Sequence, residues 1–163
     1  MNKKIYRIAI CAMIAAMYAV LTIVLGFMSF GGIQFRIAEA LTVLPYFSVM
    51  AVPGLTIGCL ISNLFSPVGL PDVIVGTLAT LLASILTRLC AKKKLKWLAP
   101  LPPVVINAVA IGLLLMFESG SVSFVSFAVN AAGVGAGQAV CCYGLGLPLL
   151  ILLEKNPKIT EYM

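Results

Sequence analysis

The sequence predicts an all-α integral membrane protein, one bundle of six transmembrane helices with both termini cytoplasmic. Three observations predict it: the composition, the length of the apolar runs and the placement of the basic residues. Of 163 residues, 62% are apolar and 10% charged, against roughly 25% charged in soluble domains. Runs of about twenty apolar residues, long enough to cross a hydrocarbon layer roughly 30 Å thick, fill nearly the whole chain. No Pro/Ser-rich linker, low-complexity block or internal repeat divides it, so residues 1–163 read as a single domain.

The first span, 5–28, follows Lys3, Lys4 and Arg7. Its apolar run exceeds the core of a signal peptide, about 7–15 residues, and reads as a retained anchor. Within it Ala12, Ala15, Ala16 and Ala19 make two overlapping AxxxA patterns. They lie within about 100° of one another, a flat stripe for close approach by a helix of this chain or of a partner. The next two spans, 37–52 and 54–65, are separated by Pro53-Gly54, and each is shorter than the roughly 20 residues of a straight crossing. Spans at 73–89, 98–117 and within 124–153 complete the set. Counting the short pair as two spans places Lys3, Lys4, Arg7, Arg88, Lys92, Lys93, Lys94, Lys96, Lys155 and Lys158, ten of the 11 basic residues, on one side. Merging the pair puts the 88–96 cluster opposite the basic N-terminus, against the cytoplasmic bias of Lys and Arg. The short pair is expected to bend inside the bundle, where protein satisfies the backbone groups freed by Pro45 and Pro53.

A formal charge of +6 does not point to nucleic acid, because the basic residues sit at membrane edges with no interleaved aromatic platform. Cys11, Cys59, Cys90, Cys141 and Cys142 lie in apolar runs, form no CxxC and have no histidine to join them. They read as small buried hydrophobes, not as metal ligands or a disulfide framework. With no GxxxxGK[ST] loop, nucleotide hydrolysis falls to a partner. No catalytic residue, cofactor or metal is predicted, because nothing pairs the few carboxylates as an acid/base couple.

The sparse polar residues carry the functional information, because an ionisable or amide group among membrane helices is costly. The six-span topology puts Gln34, Arg36, Glu39, Asn63, Asp72 and Glu118 toward the outer face, as for a cavity open to the outside. Arg36 and Glu39, spaced i, i+3, can meet as an ion pair or serve a ligand. Asp72 follows Pro71 where a helix begins, so it is either an N-terminal cap or a binding group. Glu118 opens a Glu118-Ser119-Gly120-Ser121 turn and is equally readable as a solvated loop acid. In the last span Asn130, Gly133, Gly137 and Gln138 share one side; the GxxxG favours close packing, and the two amides make a cavity wall. Asn107 ranks lower, as an interhelical hydrogen bond.

Three stretches resemble the QueT family of queuosine-precursor transporters, a resemblance that covers nearly the entire chain. They are Phe35-Arg36-Ile37-Ala38-Glu39-Ala40-Leu41, Asn63-Leu64-Phe65-Ser66-Pro67-Val68-Gly69-Leu70-Pro71-Asp72, and Gly76-Thr77-Leu78-Ala79-Thr80-Leu81. The resemblance implies a multi-pass protein of the cell membrane, the substrate-binding S component of an energy-coupling factor importer. It implies docking to a transmembrane T subunit and two ATPases, with the face of Ala12, Ala15, Ala16 and Ala19 on the T subunit. The implied ligand is a 7-deazaguanine, either queuine or a nitrile- or aminomethyl-bearing precursor. Its guanine-like edge suits a carboxylate, its carbonyl an amide or arginine, and its ring an aromatic neighbour. On that basis Glu39 is expected to read the edge with Arg36 beside it, and Asn130 or Gln138 to supply the amide. Asn63 belongs to the same substrate-binding set, and Asp72 or Glu118 is expected to hold a cationic arm. Tyr46, Phe65, Phe124 and Phe127 are stacking candidates or ordinary packing. The connections 30–34 and 66–71 are the nearest candidates for gates. Rival readings are an S component for another vitamin or base, and a structural subunit that binds only other helices.

Overall fold

Proline and glycine set most of the helix boundaries in the computed structural model, which describes residues 3–29 and 34–156. Helix α1 (Lys3–Val24) runs into the single turn α2 (Gly26–Ser29). A ten-residue 3-10 helix, Ile37–Tyr46, follows, then α3 (Ala51–Asn63). Helix α4 (Leu70–Lys92) begins behind Gly69, whose φ of 77° suits only glycine, with Pro71 in the first turn, where its missing N–H costs nothing. A short 3-10 turn, Lys96–Leu98, leads into α5 (Leu101–Glu118), again with proline at its start. Helix α6 (Phe124–Ala139), capped by the Ser123 hydroxyl accepting from the Ser126 amide, passes through a π-helical stretch, Val140–Gly146, into α7 (Leu147–Glu154). Pro148 in the first turn of α7 explains the wide turns before it, because its ring crowds the preceding carbonyls.

The described residues contain helices and no strand. Four stretches are long and apolar enough to cross a membrane: Lys4–Val24, Leu70–Lys92, Lys96–Glu118 and Phe124–Glu154. Large apolar side chains such as Ile8, Val20, Leu78, Leu82, Val105 and Val129 face outward from them, as suits lipid. The chain is a multi-pass membrane protein. The other two predicted spans appear as the shorter helices Ile37–Tyr46 and Ala51–Asn63.

The boundary between these two corrects the sequence reading. The break falls at residues 47–50, not at Pro53-Gly54; Pro53 lies in the first turn of α3, where no helical bond is lost. Protein side chains meet several backbone groups at the bend. The Arg88 guanidinium donates from Nη1 to the carbonyls of Pro45 (3.2 Å) and Tyr46 (3.0 Å), and the Ser48 hydroxyl accepts from the Met50 amide. Arg88, read as part of a loop cluster, is therefore also a C-terminal cap supplied by a neighbouring helix.

Helices α1, α3, α4, α5 and α6 pack in succession, each on the next, and the 3-10 helix lies against α1, α3, α4, α7 and the π stretch. Close approach of α1 and α3 depends on Gly54 and Gly58. A Cβ at Gly58 would stand 2.7 Å from the Ala15 carbonyl oxygen and 2.8 Å from Tyr18 Cβ. The alanine stripe is thereby divided: Ala15 and Ala19 are buried within the chain, whereas Ala12 and Ala16 remain exposed. Gly112 meets Ala131 between α5 and α6, and Gly146 meets Ala40 and Val43 between the π stretch and the 3-10 helix.

Candidate functional site

The 3-10 geometry of Ile37–Tyr46 decides which of its side chains act together. At about three residues per turn, positions i and i+3 eclipse. Arg36, at the N-terminal cap, then Glu39 and Thr42 form one polar ridge along an otherwise apolar segment. All three are buried, Arg36 to 3% and Glu39 to 1% exposure. Charges so placed are tolerated only when partnered, and the neighbouring helices supply partners.

From α1, the Tyr18 hydroxyl donates to Glu39 Oε1 at 2.6 Å. Arg36 and Glu39 lie close enough to act on each other's charge, and Asn107 of α5 lies near the same carboxylate. On the α3 side, Arg36 Nη1 points at Cys59 Sγ (3.9 Å), which also accepts from Thr80 Oγ1 (3.2 Å) and Asn63 Nδ2 (3.4 Å). On the other side, Cys142 of the π stretch bridges the Glu39 carbonyl (3.6 Å) and Gln138 Oε1 (3.7 Å) and touches Thr42 Oγ1. Cys59 and Cys142 are thus soft polar links in the network, a role beyond the simple hydrophobe expected of them. All five cysteines are free.

Beyond Cys59 the network reaches Asp72. Asn63 Nδ2 donates to the Asp72 carbonyl at 3.0 Å, and the reverse amide orientation would oppose two acceptors. Gly76 makes room for both residues. A Cβ there would stand 2.5 Å from Asn63 Nδ2 and 3.1 Å from Asp72 Oδ1. Asp72 is not the cap of α4; Gly69 holds that position, and the Asp72 carboxylate is fully buried in the first turn. Neither of its oxygens has a hydrogen-bond partner among the described residues, nor do Asn63 Oδ1 and Glu39 Oε2. The site therefore presents a set of buried acceptors. An unmet buried acceptor costs about 1–3 kcal/mol, more when charged, and a ligand rich in N–H groups would remove that cost.

Of the predicted site residues, Arg36, Glu39, Asn63, Asp72 and Gln138 fall in this connected set. Glu118 is exposed at the end of α5 and Asn130 is only partly buried on α6, with no hydrogen bond to the cluster among the described residues. The stacking candidates stay outside too. Phe65 and Phe124 are exposed, Phe127 packs at 6.5 Å from Phe124, and Tyr46 packs edge-on against Phe47 at the far end of the 3-10 helix. Gln34 is buried, whereas the rest of the 30–34 connection, with Gly31 and Gly32, lies outside the described residues, as does Lys158. The 66–71 connection is a tight turn, with the Val68 amide on Ser66 Oγ and the Gly69 amide on the Ser66 carbonyl.

Sequence reasoning passed over Tyr18 and ranked Asn107 low. A signal for Tyr18 existed: a tyrosine in mid-span, away from the interfacial belts that tyrosines favour, has to find a buried partner for its hydroxyl.

A family profile described as "QueT transporter" matches residues 8–155. A curated relative, "Queuosine precursor transporter QueT" of Lactococcus lactis subsp. cremoris (strain MG1363), is 43% identical over 82 residues, which are 49% of this chain and 48% of that protein. The match thus spans about half the length of that relative. No solved structure matches the chain significantly.

Proposed function

Because this chain belongs to the QueT transporter family, we propose that it captures a queuosine precursor, a 7-deazaguanine base, and passes it across the membrane as the S component of an energy-coupling factor importer. The observation that carries the reading is the set of buried, unmet acceptors at Glu39, Asn63 and Asp72. A guanine-like edge offers a ring N–H and an exocyclic amine side by side, which a carboxylate accepts together. Tyr18 occupies one lone pair of Glu39 Oε1, so Oε2 and the second lone pair of Oε1 are left for the two ligand donors. Asp72 and Asn63 then receive the arm. The buried ionisable groups of the cluster are one guanidinium and two carboxylates, so an aminomethyl or other cationic arm balances them and a nitrile does not.

In this reading the short helices count as spans, which gives six and leaves both termini cytoplasmic. The chain itself performs no catalysis; energy comes from two ATPases through a T subunit. The exposed half of the alanine stripe, Ala12 and Ala16, with Met13 and Met17 beside it, is the face we assign to that subunit.

Equilibrium binding to the purified chain in detergent tests the proposal, with queuine, the aminomethyl and nitrile precursors, guanine and riboflavin as ligands. Saturable binding of the cationic 7-deazaguanines, weaker for the nitrile and lost in Glu39→Gln, is expected. Preferential binding of riboflavin would instead indicate an S component for another solute. A folded preparation that binds none of the panel would leave only helix-binding roles for the protein.

A further inference from the structure

The end of the bundle away from the polar cluster holds a cavity. It measures about 260 Å³ and is lined by Arg7, Phe47, Ser48, Val49, Met50 and Arg88. Each element places it far from Glu39 and Asp72. Arg7 precedes Tyr18 on α1 by three turns, Arg88 ends the other half of α4 from Asp72, and residues 47–50 follow the C-terminal end of the 3-10 helix.

The lining is cationic and is supplied with donors. Arg88 is anchored by its two bonds from Nη1 to the Pro45 and Tyr46 carbonyls, while its Nε has no hydrogen-bond partner among the described residues. Arg7 is exposed on α1, and the Val49 amide donates to no acceptor among the described residues. No described acid lines the cavity. Glu154 is committed to Lys96 at 3.1 Å, and Glu39 and Asp72 are buried in the distant cluster. Two guanidiniums around one cleft without a carboxylate call for an anion, and their forked donors match a phosphate. Phe47, Val49 and Met50 make the rest of the wall apolar, and basic pockets between membrane helices suit lipid head groups.

We propose that this cavity is a binding site for a phosphate-bearing anion, with the head group of an anionic phospholipid as the occupant its apolar wall favours. The site is independent of the solute cluster. Thermal unfolding of the full chain in detergent, titrated with short-chain phosphatidylglycerol, short-chain phosphatidylcholine or inorganic phosphate, tests it. Saturable stabilisation by phosphatidylglycerol and not by phosphatidylcholine is expected. The midpoint concentration should rise about five-fold or more in Arg7→Gln and recover in part in Arg7→Lys, which keeps the charge and loses the fork; Arg7 is exposed and forms no ion pair with a described acid. If inorganic phosphate stabilises equally well, the occupant is a free phosphate and the site stands. Equal stabilisation by both lipids, no stabilisation by any of the three, or an unchanged midpoint in Arg7→Gln would overturn it. Queuine binding by Arg7→Gln should match the parent.

Discussion

Replacing Tyr18 by phenylalanine removes one oxygen from the protein and leaves the ring to fill its place in the core. That oxygen is fully buried and donates at 2.6 Å to a carboxylate that is itself 1% exposed. A hydrogen bond to a charged group is worth about 1.5–3 kcal/mol in soluble proteins. Side-chain bonds between membrane helices average only about 0.6 kcal/mol, with a maximum near 1.7. The charge and short distance argue for the upper part of the membrane range, so we expect about 1–2 kcal/mol of coupling. A double-mutant cycle with Glu39→Met, a swap that keeps volume while removing the acceptor, isolates the term. Unfolding in mixed micelles, followed by far-ultraviolet circular dichroism, supplies the four free energies. The same loss of positioning should weaken binding of a 7-deazaguanine by about five- to thirty-fold in Tyr18→Phe. Coupling below about 0.3 kcal/mol together with unchanged affinity would refute the argument, because Glu39 would then owe its position to the 3-10 helix alone.

Asp72→Asn should weaken an aminomethyl precursor by about tenfold or more and the nitrile much less, as calorimetric titration would show, since only the cationic arm forms a charge-assisted bond. Gly58→Ala should cost about 1–3 kcal/mol or more in the same unfolding assay, because its Cβ would meet the Ala15 carbonyl at 2.7 Å and a main-chain atom cannot swing away. Gly69→Ala has no neighbour within 4 Å and should cost only the backbone strain of φ 77° and ψ −147°, a conformation essentially confined to glycine, about 1–3 kcal/mol. Arg88→Ala should destabilise by about 1–3 kcal/mol by stripping the Pro45 and Tyr46 carbonyls of their donor.

The helical membrane architecture was legible because lipid allows few alternatives: apolar runs of spanning length have to be helices. The four long spans follow from their runs directly. The short pair was legible as a bend and misplaced in detail, because Pro53-Gly54 reads as a breaker although proline in a first turn starts a helix as readily as it ends one. Asp72, Glu39 and Arg36 could be found since each is an ionisable group in an apolar setting, and burial confirms that each is enclosed. Glu118 and Asn130 met the same criterion and lie outside the cluster, because hydropathy does not say which way a helix is turned. Periodicity at 100° per residue also misjudges any segment that is not α-helical. The alanine stripe shows a further limit: spacing identifies a close-packing face, but only the glycines opposite it reveal that Ala15 and Ala19 are already occupied.

Helical irregularity and chemistry coincide in this molecule for a geometric reason. In an α-helix, Arg36 and Thr42 would differ by about 120° around the axis, and the ridge they form with Glu39 would be broken; in a 3-10 helix all three align. That alignment lets one ridge engage three elements at once, α1 through Tyr18, α3 through Cys59 and the π stretch through Cys142. The π stretch is the counterpart. Its wide turns and Gly146 let the last helix approach the Ala40 backbone, with 3.1 Å from a Gly146 Cβ to the Ala40 carbonyl oxygen. A ten-residue 3-10 run is less favourable than the α-helix the same residues could form, so its persistence depends on these contacts. In the proposed reading a ligand that meets Glu39 acts on this ridge, and its binding energy would favour the 3-10 form over the α-helical alternative. This is the kind of differential interaction that lets a bound solute bias a conformational change.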